Sequence, residues 1–332
     1  MMSKVQATAR AGANIAFVKY WGNRDDTLRL PLTNSLSMTL DTAETITTVI
    51  FDPNLPEDEL VLNERVITGE ALTRVSQHLD RLRQLKGLRW RARVISRNTF
   101  PTGAGIASSA SAFAALTVAA AAALGLDLSP RELSLWARLG SGSAARSIFG
   151  GYVELQTATR HEDAWAYPVA PPEHWRLADV IAVVSRSHKA VGSTGGHRLA
   201  HTSPLNFGRL AHVHTALAQA RSAILARDLE MLGEIVEQDA LAMHAVMMTS
   251  RPSLLYWEPG TVAVMHAVRR WRSEGVPAYF TIDAGPNVHI ITEPRYVPAV
   301  VSRLQDMPSV QDVLVCHTGP GARVVDAAES GL

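Results

Sequence analysis

The stretch "NTFPTGAGIASSASAFAALTVAAAAALGL" (residues 98–126) joins a glycine-rich turn to a long run of alanines. Gly103 and Gly105 allow the backbone to turn tightly and to approach a ligand closely. Ser108 and Ser109 follow where a helix is expected to begin, beside its unpaired N–H groups. The positive end of a helix attracts anions, so the pattern is compatible with phosphate binding. The alternative, a helix of small residues packed tightly against a sheet, stays open at this point.

A second stretch of serines and glycines, "GSGSAARS" (residues 140–147), has a similar pattern. Ser141 and Ser143 offer hydroxyl groups, and Arg146 suits a carboxylate or phosphate, which a guanidinium can bind through two hydrogen bonds. The alternative is a capped helix with a surface arginine. The first stretch does not match the phosphate-binding loop G-x-x-x-x-G-K-[ST], since the spacing differs and no lysine follows.

Two further loops carry polar residues. In "TIDAGPNVHI" (residues 281–290), Asp283 ends an apolar strand, where a carboxylate could orient a hydroxyl group, act as a base or bind a metal. An aspartate before Gly-Pro also commonly caps a turn. The loop "AVGSTGGH" (residues 190–197), which contains Ser193, is equally suited to closing over a ligand or to connecting two elements.

Composition excludes several classes of function. The net charge of +1 gives no support for a nucleic-acid or membrane partner. The single cysteine, Cys316, rules out an internal disulfide, fits a reducing compartment and is predicted to lie in the core. The histidines form no recognised metal motif, and His212 and His214 are predicted at the surface on different faces of a helix. Without a signal-like N-terminus or a membrane-length apolar run, a cytoplasmic location is expected.

The stretch "NIAFVKYWGNRDD" (residues 14–26) places a lysine at the end of an apolar strand. Only four of the 32 basic residues are lysines, so the chain strongly prefers arginine. Lysine is a compact point charge, whereas arginine is a rigid two-pronged donor. The retention of Lys19 indicates that an arginine would not serve in its place.

The periodicity of apolar residues predicts two α+β domains. Residues 157–178 are predicted to be irregular, and an apolar strand follows them. We predict a boundary near residue 185, giving domains of residues 1–185 and 186–332. The principal strands are predicted at residues 5–18, 36–51 and 151–156, and the principal helices at 69–86, 206–249, 259–273 and 294–306.

Taken together and in this order, these stretches resemble the mevalonate diphosphate decarboxylases, relatives of galactokinase, homoserine kinase, mevalonate kinase and phosphomevalonate kinase. The resemblance runs from about residue 8 to about residue 290, and the K-Y-W-G and G-S-G-S-A-x-R-S motifs are specific to the family. It implies a small-molecule-kinase-like fold. The N-terminal domain would hold a mixed sheet with helices and the C-terminal domain a ferredoxin-like α/β sandwich. The active site would lie in the cleft between them.

The resemblance also implies an ATP-dependent decarboxylation in isoprenoid biosynthesis. The 3-hydroxyl group of a 5-phosphorylated mevalonate would receive the γ-phosphate of ATP, and phosphate and CO2 would then leave together. Mg²⁺ is expected to bridge the ATP phosphates. A small-molecule substrate and a homodimer are the partners that the family implies.

Residue roles follow by the same resemblance. Asp283 would orient or deprotonate the 3-hydroxyl group, Lys19 would lie beside it, and Arg146 would bind the substrate carboxylate. The loop around the ATP phosphates is expected to contain Gly103, Gly105, Ser108 and Ser109, and the 5-phosphate end is expected to meet Tyr20, Asn23, Ser141, Ser143 and Ser193.

Position 23 departs from the family pattern, which usually reads K-Y-W-G-K-R and places a lysine where this chain has Asn23. A charge-assisted hydrogen bond contributes roughly 1.5–3 kcal/mol, so its loss weakens binding of a second phosphate by one or two decades. We therefore hypothesise that the substrate is mevalonate 5-phosphate and the product isopentenyl phosphate. His197, Arg24 and Lys189 are possible compensating contacts for a diphosphate.

Three readings remain in competition. They are a decarboxylase of the monophosphate or diphosphate, a mevalonate 3-kinase without decarboxylation, and a non-catalytic nucleotide-binding relative. The joint presence of Lys19, Arg146 and Asp283 favours the decarboxylase, because the other two have no need of the full set.

Overall fold

The computed structural model describes residues 4–100, 108–187 and 191–326. Predictions for Gly103, Gly105 and Lys189 therefore lie outside the described residues. The strands are β1 (Val5–Val18), β2 (Asn23–Asp25), β3 (Leu30–Pro31), β4 (Ser35–Asp52), β5 (Glu59–Leu62), β6 (Arg65–Ile67), β7 (Arg91–Asn98), β8 (Tyr152–Leu155), β9 (Ala166–Ala170), β10 (Ala178–Val183), β11 (Ala278–Thr281), β12 (Val288–Thr292), β13 (Asp312–His317) and β14 (Arg323–Val325). The α-helices are α1 (Glu70–Lys86), α2 (Ser108–Ala123), α3 (Pro130–Gly140), α4 (Ala144–Ser147), α5 (Ser193–Leu199), α6 (Asn206–Ala226), α7 (Leu229–Thr249), α8 (Pro259–Ser273) and α9 (Val297–Gln305).

The first sheet is built on the long antiparallel pair β1 and β4, whose β-branched residues favour extended backbone. Its order is β14-β1-β4-β7-β5-β6, with β8 paired to β4 and β9 paired to β8. Strands β5 and β7 run parallel, whereas the other pairs are antiparallel, so the sheet is mixed as predicted. Helix α2 packs on it and is buried on most sides, because its alanines and serines let the backbones approach closely.

The second sheet has the order β11-β12-β10-β13 and is entirely antiparallel. Helices α8 and α9 share one apolar cluster with it. Helices α6 and α7 contribute to another cluster, which also contains residues of β1, β4, β10 and β12. A continuous core therefore joins the two sheets, and the predicted two-domain α+β architecture is confirmed.

Strand β10 pairs within the second sheet, and β14 returns to the first sheet from the far end of the chain. The boundary near residue 185 stays a prediction. Two other local predictions need correction. The segment 157–178, predicted to be irregular, contains β9, an edge strand that accommodates Pro168. The loop at 190–197 continues into a helix that begins at Ser193.

Other details agree with the sequence. Helix α3 begins with a cap in which Ser129 and Glu132 bond reciprocally and Pro130 occupies the first turn. Cys316 is buried in β13, and His212 and His214 are exposed on α6. Within the described parts of the chain, no helix is long and apolar enough to cross a membrane.

Candidate active site

A cavity of about 610 Å³ is lined by residues from both halves of the chain, which agrees with the predicted cleft. It collects side chains that the sequence predicted from distant motifs. Those on its wall are Lys19, Tyr20, Ser108, Ser109, Ser141, Ser143, Arg146, Ser193 and Asp283, together with His197. Asn23 and Arg24 are not among the described residues that line it.

The cavity contains an ion pair between Lys19 and Asp283. Lys19 Nζ lies 2.7 Å from Asp283 Oδ1, and the lysine side chain is 1% exposed while the aspartate side chain is 22% exposed. Burial by itself raises the pKa of Asp283, but Lys19, with His289 and Arg146 contributing less, lowers that pKa below its ordinary value. The carboxylate is therefore ionised at neutral pH and available to accept a hydrogen bond from a ligand.

Arg146 lies on α4, fully buried at the cavity wall. Its Nε donates to Ser37 Oγ at 2.8 Å, and its two Nη atoms donate to Ser35 Oγ at 2.6 Å and to Asn14 Oδ1 at 3.0 Å. Burial lowers the pKa of Arg146 to about 10, so the group remains charged at pH 7. These neutral partners fix the guanidinium without neutralising it, and an anionic ligand would supply the missing charge.

Tyr20 and Asn23 form a unit at one end of the cavity. The Tyr20 hydroxyl donates to Asn23 Oδ1, and Asn23 Nδ2 donates to Asp26 Oδ1 at 2.7 Å. Burial raises the pKa of Tyr20 to about 12, which keeps the phenol protonated. Tyr20 faces the cavity, whereas the Asn23 amide bonds to neighbouring side chains, and a contact of Asn23 with the substrate stays a prediction.

His197 on α5 lies against Tyr20 and Trp21, with ring centroids 4.4 and 4.7 Å away. Its Nδ1 accepts the backbone N–H of Gly22 at 2.9 Å. When neutral, a histidine that accepts at Nδ1 carries its proton on Nε2. His197 therefore offers its Nε2–H as a hydrogen-bond donor on the cavity wall, near the 5-phosphate end predicted from the sequence.

The two glycine and serine stretches meet at the cavity. Ser108 is the first residue of α2, and Ser109 Oγ lies 3.1 Å from Ser141 Oγ. The N-terminus of a 16-residue helix and neighbouring hydroxyl groups suit the phosphates of ATP. Across residues 4–100, 108–187 and 191–326 no group of three His, Cys, Asp or Glu residues could hold a metal ion. Mg²⁺ is commonly held by phosphates, waters and one or two carboxylates, and Glu70 on the wall is such a carboxylate.

Sequence reasoning missed several residues of the wall. Arg29, Arg74 and Arg198 line it, and Arg29 and Arg74 also line an adjoining pocket of about 200 Å³. Burial lowers the pKa values of Arg29 and Arg74. Arg74 is on a half-exposed helix and Arg29 is in a short turn, so neither stood out in an arginine-rich sequence. Asn14 had a usable signal, since it is a polar residue inside an apolar strand.

Comparison with known proteins agrees with this geometry. The model "Diphosphomevalonate decarboxylase-like N-terminal domain" matches residues 11–166, and "Mevalonate 5-diphosphate decarboxylase C-terminal domain" matches residues 179–325. The chain is 35% identical to the phosphomevalonate decarboxylase of Haloferax volcanii over 98% of this chain and 99% of that protein.

Solved structures are similar along the whole chain. The mevalonate diphosphate decarboxylase of Staphylococcus aureus has a TM-score of 0.93 at 36% identity, covering 98% of this chain and 99% of that one. A structure described as MDDEF in complex with MVAPP, AMPPCP and magnesium has a TM-score of 0.93 at 38% identity, covering 98% and 100%. The chain therefore belongs to the mevalonate diphosphate decarboxylase family, whose members are ATP-dependent decarboxylases of phosphorylated mevalonates, as the motifs predicted.

Proposed function

We propose that this protein decarboxylates mevalonate 5-phosphate, with ATP and Mg²⁺, to isopentenyl phosphate. The observation that carries the choice of substrate is position 23. An uncharged asparagine stands there, and its amide is engaged by Tyr20 and Asp26. The relative from Haloferax volcanii, matched over almost its whole length, is named a phosphomevalonate decarboxylase and supports the same choice.

In the proposed mechanism, Asp283 accepts a hydrogen bond from the substrate's 3-hydroxyl group. Its lowered pKa keeps it ionised, so it orients the hydroxyl oxygen toward the γ-phosphate and can take its proton. Lys19 Nζ, at 2.7 Å from Asp283, lies where negative charge moves during phosphoryl transfer and stabilises it. These two groups account for the first step, formation of the 3-phosphate ester.

Arg146 is proposed to bind the substrate carboxylate through the N–H groups that its serine and asparagine partners leave for a ligand. In the second step the bond between the carboxylate carbon and its neighbour breaks. The electron pair forms the alkene, and the 3-phosphate leaves with the C–O electrons. A cation that holds the carboxylate in line keeps the breaking bond aligned with the departing phosphate.

The phosphates of ATP are assigned to the N-terminus of α2, with Ser108 and Ser109. When bound, Mg²⁺ would neutralise phosphate charge. The described wall has two carboxylates, and because Asp283 is paired with Lys19, Glu70 would help hold the ion. The related structure with AMPPCP and magnesium supports ATP and Mg²⁺ as the ligands. A homodimer and a cytoplasmic location remain predictions that rest on the family resemblance and the composition.

Mevalonate 5-diphosphate is the second candidate substrate, and one observation favours it. Arg29, Arg74 and Arg198 supply cations on the wall that a second phosphate could use in place of the lysine at position 23. The relative from Staphylococcus aureus is named a mevalonate diphosphate decarboxylase. Asp26 offsets part of this charge, because its carboxylate lies 3.5 Å from Arg198 Nε.

A direct assay separates these possibilities. The protein is incubated with ATP, Mg²⁺ and either mevalonate 5-phosphate or the 5-diphosphate, and CO2 and ADP are both measured. We expect equal amounts of CO2 and ADP and a larger kcat/KM for the monophosphate. ADP without CO2 would instead identify a 3-kinase, and faster turnover of the diphosphate would support the second candidate.

The variant Asn23→Lys tests the residue behind the choice. A restored cation should raise kcat/KM for the diphosphate relative to the monophosphate by about one to two decades, the value of a charge-assisted contact. Arg24→Lys is the control, because Arg24 is exposed and is not among the described residues of the wall. An unchanged ratio in Asn23→Lys would place specificity elsewhere, with Arg29 and Arg74 the next residues to change.

A further inference from the structure

Lys19 follows the last paired residue of β1, where the sheet no longer satisfies its backbone. The pairing of β1 with β4 ends at Val18, opposite Leu36. The N–H and C=O groups of Lys19 are nevertheless buried and need partners, because an unpaired buried peptide group is costly. Both partners come from the helices between the two sheets rather than from the first sheet.

Asp239 on α7 and Arg209 on α6 provide these partners. Asp239 Oδ2 accepts the N–H of Lys19 at 2.6 Å, and Arg209 Nη2 donates to the C=O of Lys19 at 2.7 Å. The two side chains also form an ion pair, with Nη2 at 3.7 Å from Oδ1, and each is 2% exposed. One buried ion pair therefore bonds to both the N–H and the C=O group of Lys19.

Helix α7 also holds Asp283. His244 Nε2 lies 3.1 Å from the backbone carbonyl of Asp283, and a carbonyl only accepts, so the ring donates there. The ring lies against Trp257, with centroids 5.0 Å apart. Burial and the nearby Lys19 lower the pKa of His244 to about 4, which keeps it neutral at pH 7.

We propose that α7 positions the Lys19–Asp283 pair, with Asp239 holding the lysine backbone and His244 holding the aspartate backbone. Asp239, Arg209 and His244 are positioning residues in this account, since they act through the pair. The inference rests on the proposed function only for the catalytic roles of Lys19 and Asp283. Its backbone is held by α6 and α7 and its ammonium group by Asp283, so the place of Lys19 beside the carboxylate depends on these helices as well as on β1.

The ionisation of Asp283 reports whether this arrangement is intact. The charged and titratable groups that face it are Lys19 from the end of β1, Arg146 from α4, His289 from β12 and His244 from α7. His289 is itself fixed by Asp179, with Nδ1 2.7 Å from Oδ2. Lys19 is the largest of the contributions that lower the pKa, so a displaced Lys19 raises the pKa of Asp283 toward the value that burial favours.

The test compares two aspartates that make the same kinds of contact. Asp239→Asn leaves one acceptor oxygen and directs an amide N–H₂ toward Arg209 or toward Lys19, so the hold loosens. Asp58→Asn is the matched control. Asp58 is also buried, accepts from Arg83 Nη1 at 3.1 Å and from the backbone N–H of Ala92 at 2.8 Å, and is not among the described residues of the cavity wall.

Two quantities are measured in each variant. One is the pKa of the Asp283 carboxyl by ¹³C NMR, assigned from the spectrum of Asp283→Asn, and the other is kcat with KM for ATP. In Asp239→Asn we expect the pKa to rise by roughly one unit and kcat to fall about tenfold, with KM for ATP unchanged. Asp58→Asn should lose thermal stability and leave both quantities as in the parent.

An unchanged Asp283 pKa in Asp239→Asn, or an equal shift in Asp58→Asn, would overturn the proposal. If Asp239→Asn does not fold, His244→Phe tests the same proposal at the Asp283 side of the pair. It keeps an aromatic ring against Trp257 and removes the N–H that donates to the Asp283 carbonyl. Its control is His78→Phe, in which the lost bond is to Thr117 in the first half. A parent without decarboxylase activity would refute the proposed function, while the NMR result would still decide the role of α7.

Discussion

Lys19 shows how one residue can be functional and structural at once. Its ammonium group pairs with Asp283, and its backbone is held by Asp239 and Arg209. The sequence indicated the first role, since a lysine at the end of an apolar strand is unusual in an arginine-rich chain. It gave no indication of the second, because Asp239 and Arg209 lie in helical patterns where a charged residue is usually on the solvated face.

The pH dependence of the reaction should follow from this pair. The pKa of Asp283 in the folded protein is held below its ordinary value by Lys19, so the carboxylate stays ionised to a lower pH than an ordinary aspartate does. Lys19→Gln removes the main lowering influence and leaves burial, so the acidic limb of kcat/KM should move upward by roughly one unit or more. The measurement is the pH profile of kcat/KM for CO2 release.

Lys86→Gln is the control for this change. Lys86 ends α1, and its Nζ is 3.4 Å from the carbonyl of Gly125, an exposed contact. Its pH profile should match that of the parent. If the profile of Lys19→Gln also coincides with the parent's, Asp283 does not set the acidic limb.

At the scale of elements, the turn before α4 sets how closely Tyr20 approaches the two glycine and serine stretches. A Cβ at position 142 would lie 2.2 Å from Tyr20 Cε1, so only glycine leaves room for the ring. The glycine in the family motif thus has a steric reason. That reason could not be derived from the sequence, because the contact joins residues 20 and 142 across the fold.

Gly142→Ala should therefore displace Tyr20 and disturb the 5-phosphate end of the cavity. Overpacking of this kind costs about 1–3 kcal/mol, and we expect KM for the phosphorylated substrate to rise by one to two decades. Gly208→Ala in α6 is the control, because an added Cβ there meets nothing within 4 Å and a helical alanine is favoured over glycine by up to about 1 kcal/mol. Steady-state kinetics and thermal unfolding measure the two effects. An unaltered KM in Gly142→Ala would mean that the ring position is not used in binding.

At the scale of the whole molecule, local patterns predicted most of the elements but not how the chain closes. The strands and helices with strong periodicity were predictable. The family resemblance also predicted that the separate motifs meet in one cavity. The position of β14 beside β1 was not, because its three residues are too short for a pattern and their partners lie more than 300 residues away. The pairing of β10 has the same limit, because its partners β12 and β13 come more than 100 residues later in the chain.

This closure predicts that residues 1–185 do not fold by themselves. Ile15 and Phe17 of β1 share a core cluster with Val213 and Leu217 of α6 and Val236 of α7, so the fragment would expose the apolar side of β1. The intact chain should unfold in one cooperative transition when followed by circular dichroism and by tryptophan fluorescence. The isolated fragment should show no such transition, and a cooperative one would contradict the shared core.

Cys316 offers a way to watch the second sheet open. It is the one cysteine of the sequence, it is 2% exposed in β13, and burial raises the pKa of its thiol to about 12. A thiol reagent can therefore react only when β13 separates from the core cluster that covers Cys316, and in the limit of rapid reclosing the labelling rate gives the free energy of that local opening. Cys316 is thus a native probe of local opening in this part of the protein. Slower labelling in the presence of ATP and substrate would measure, without any mutation, how much ligand binding stabilises the second sheet.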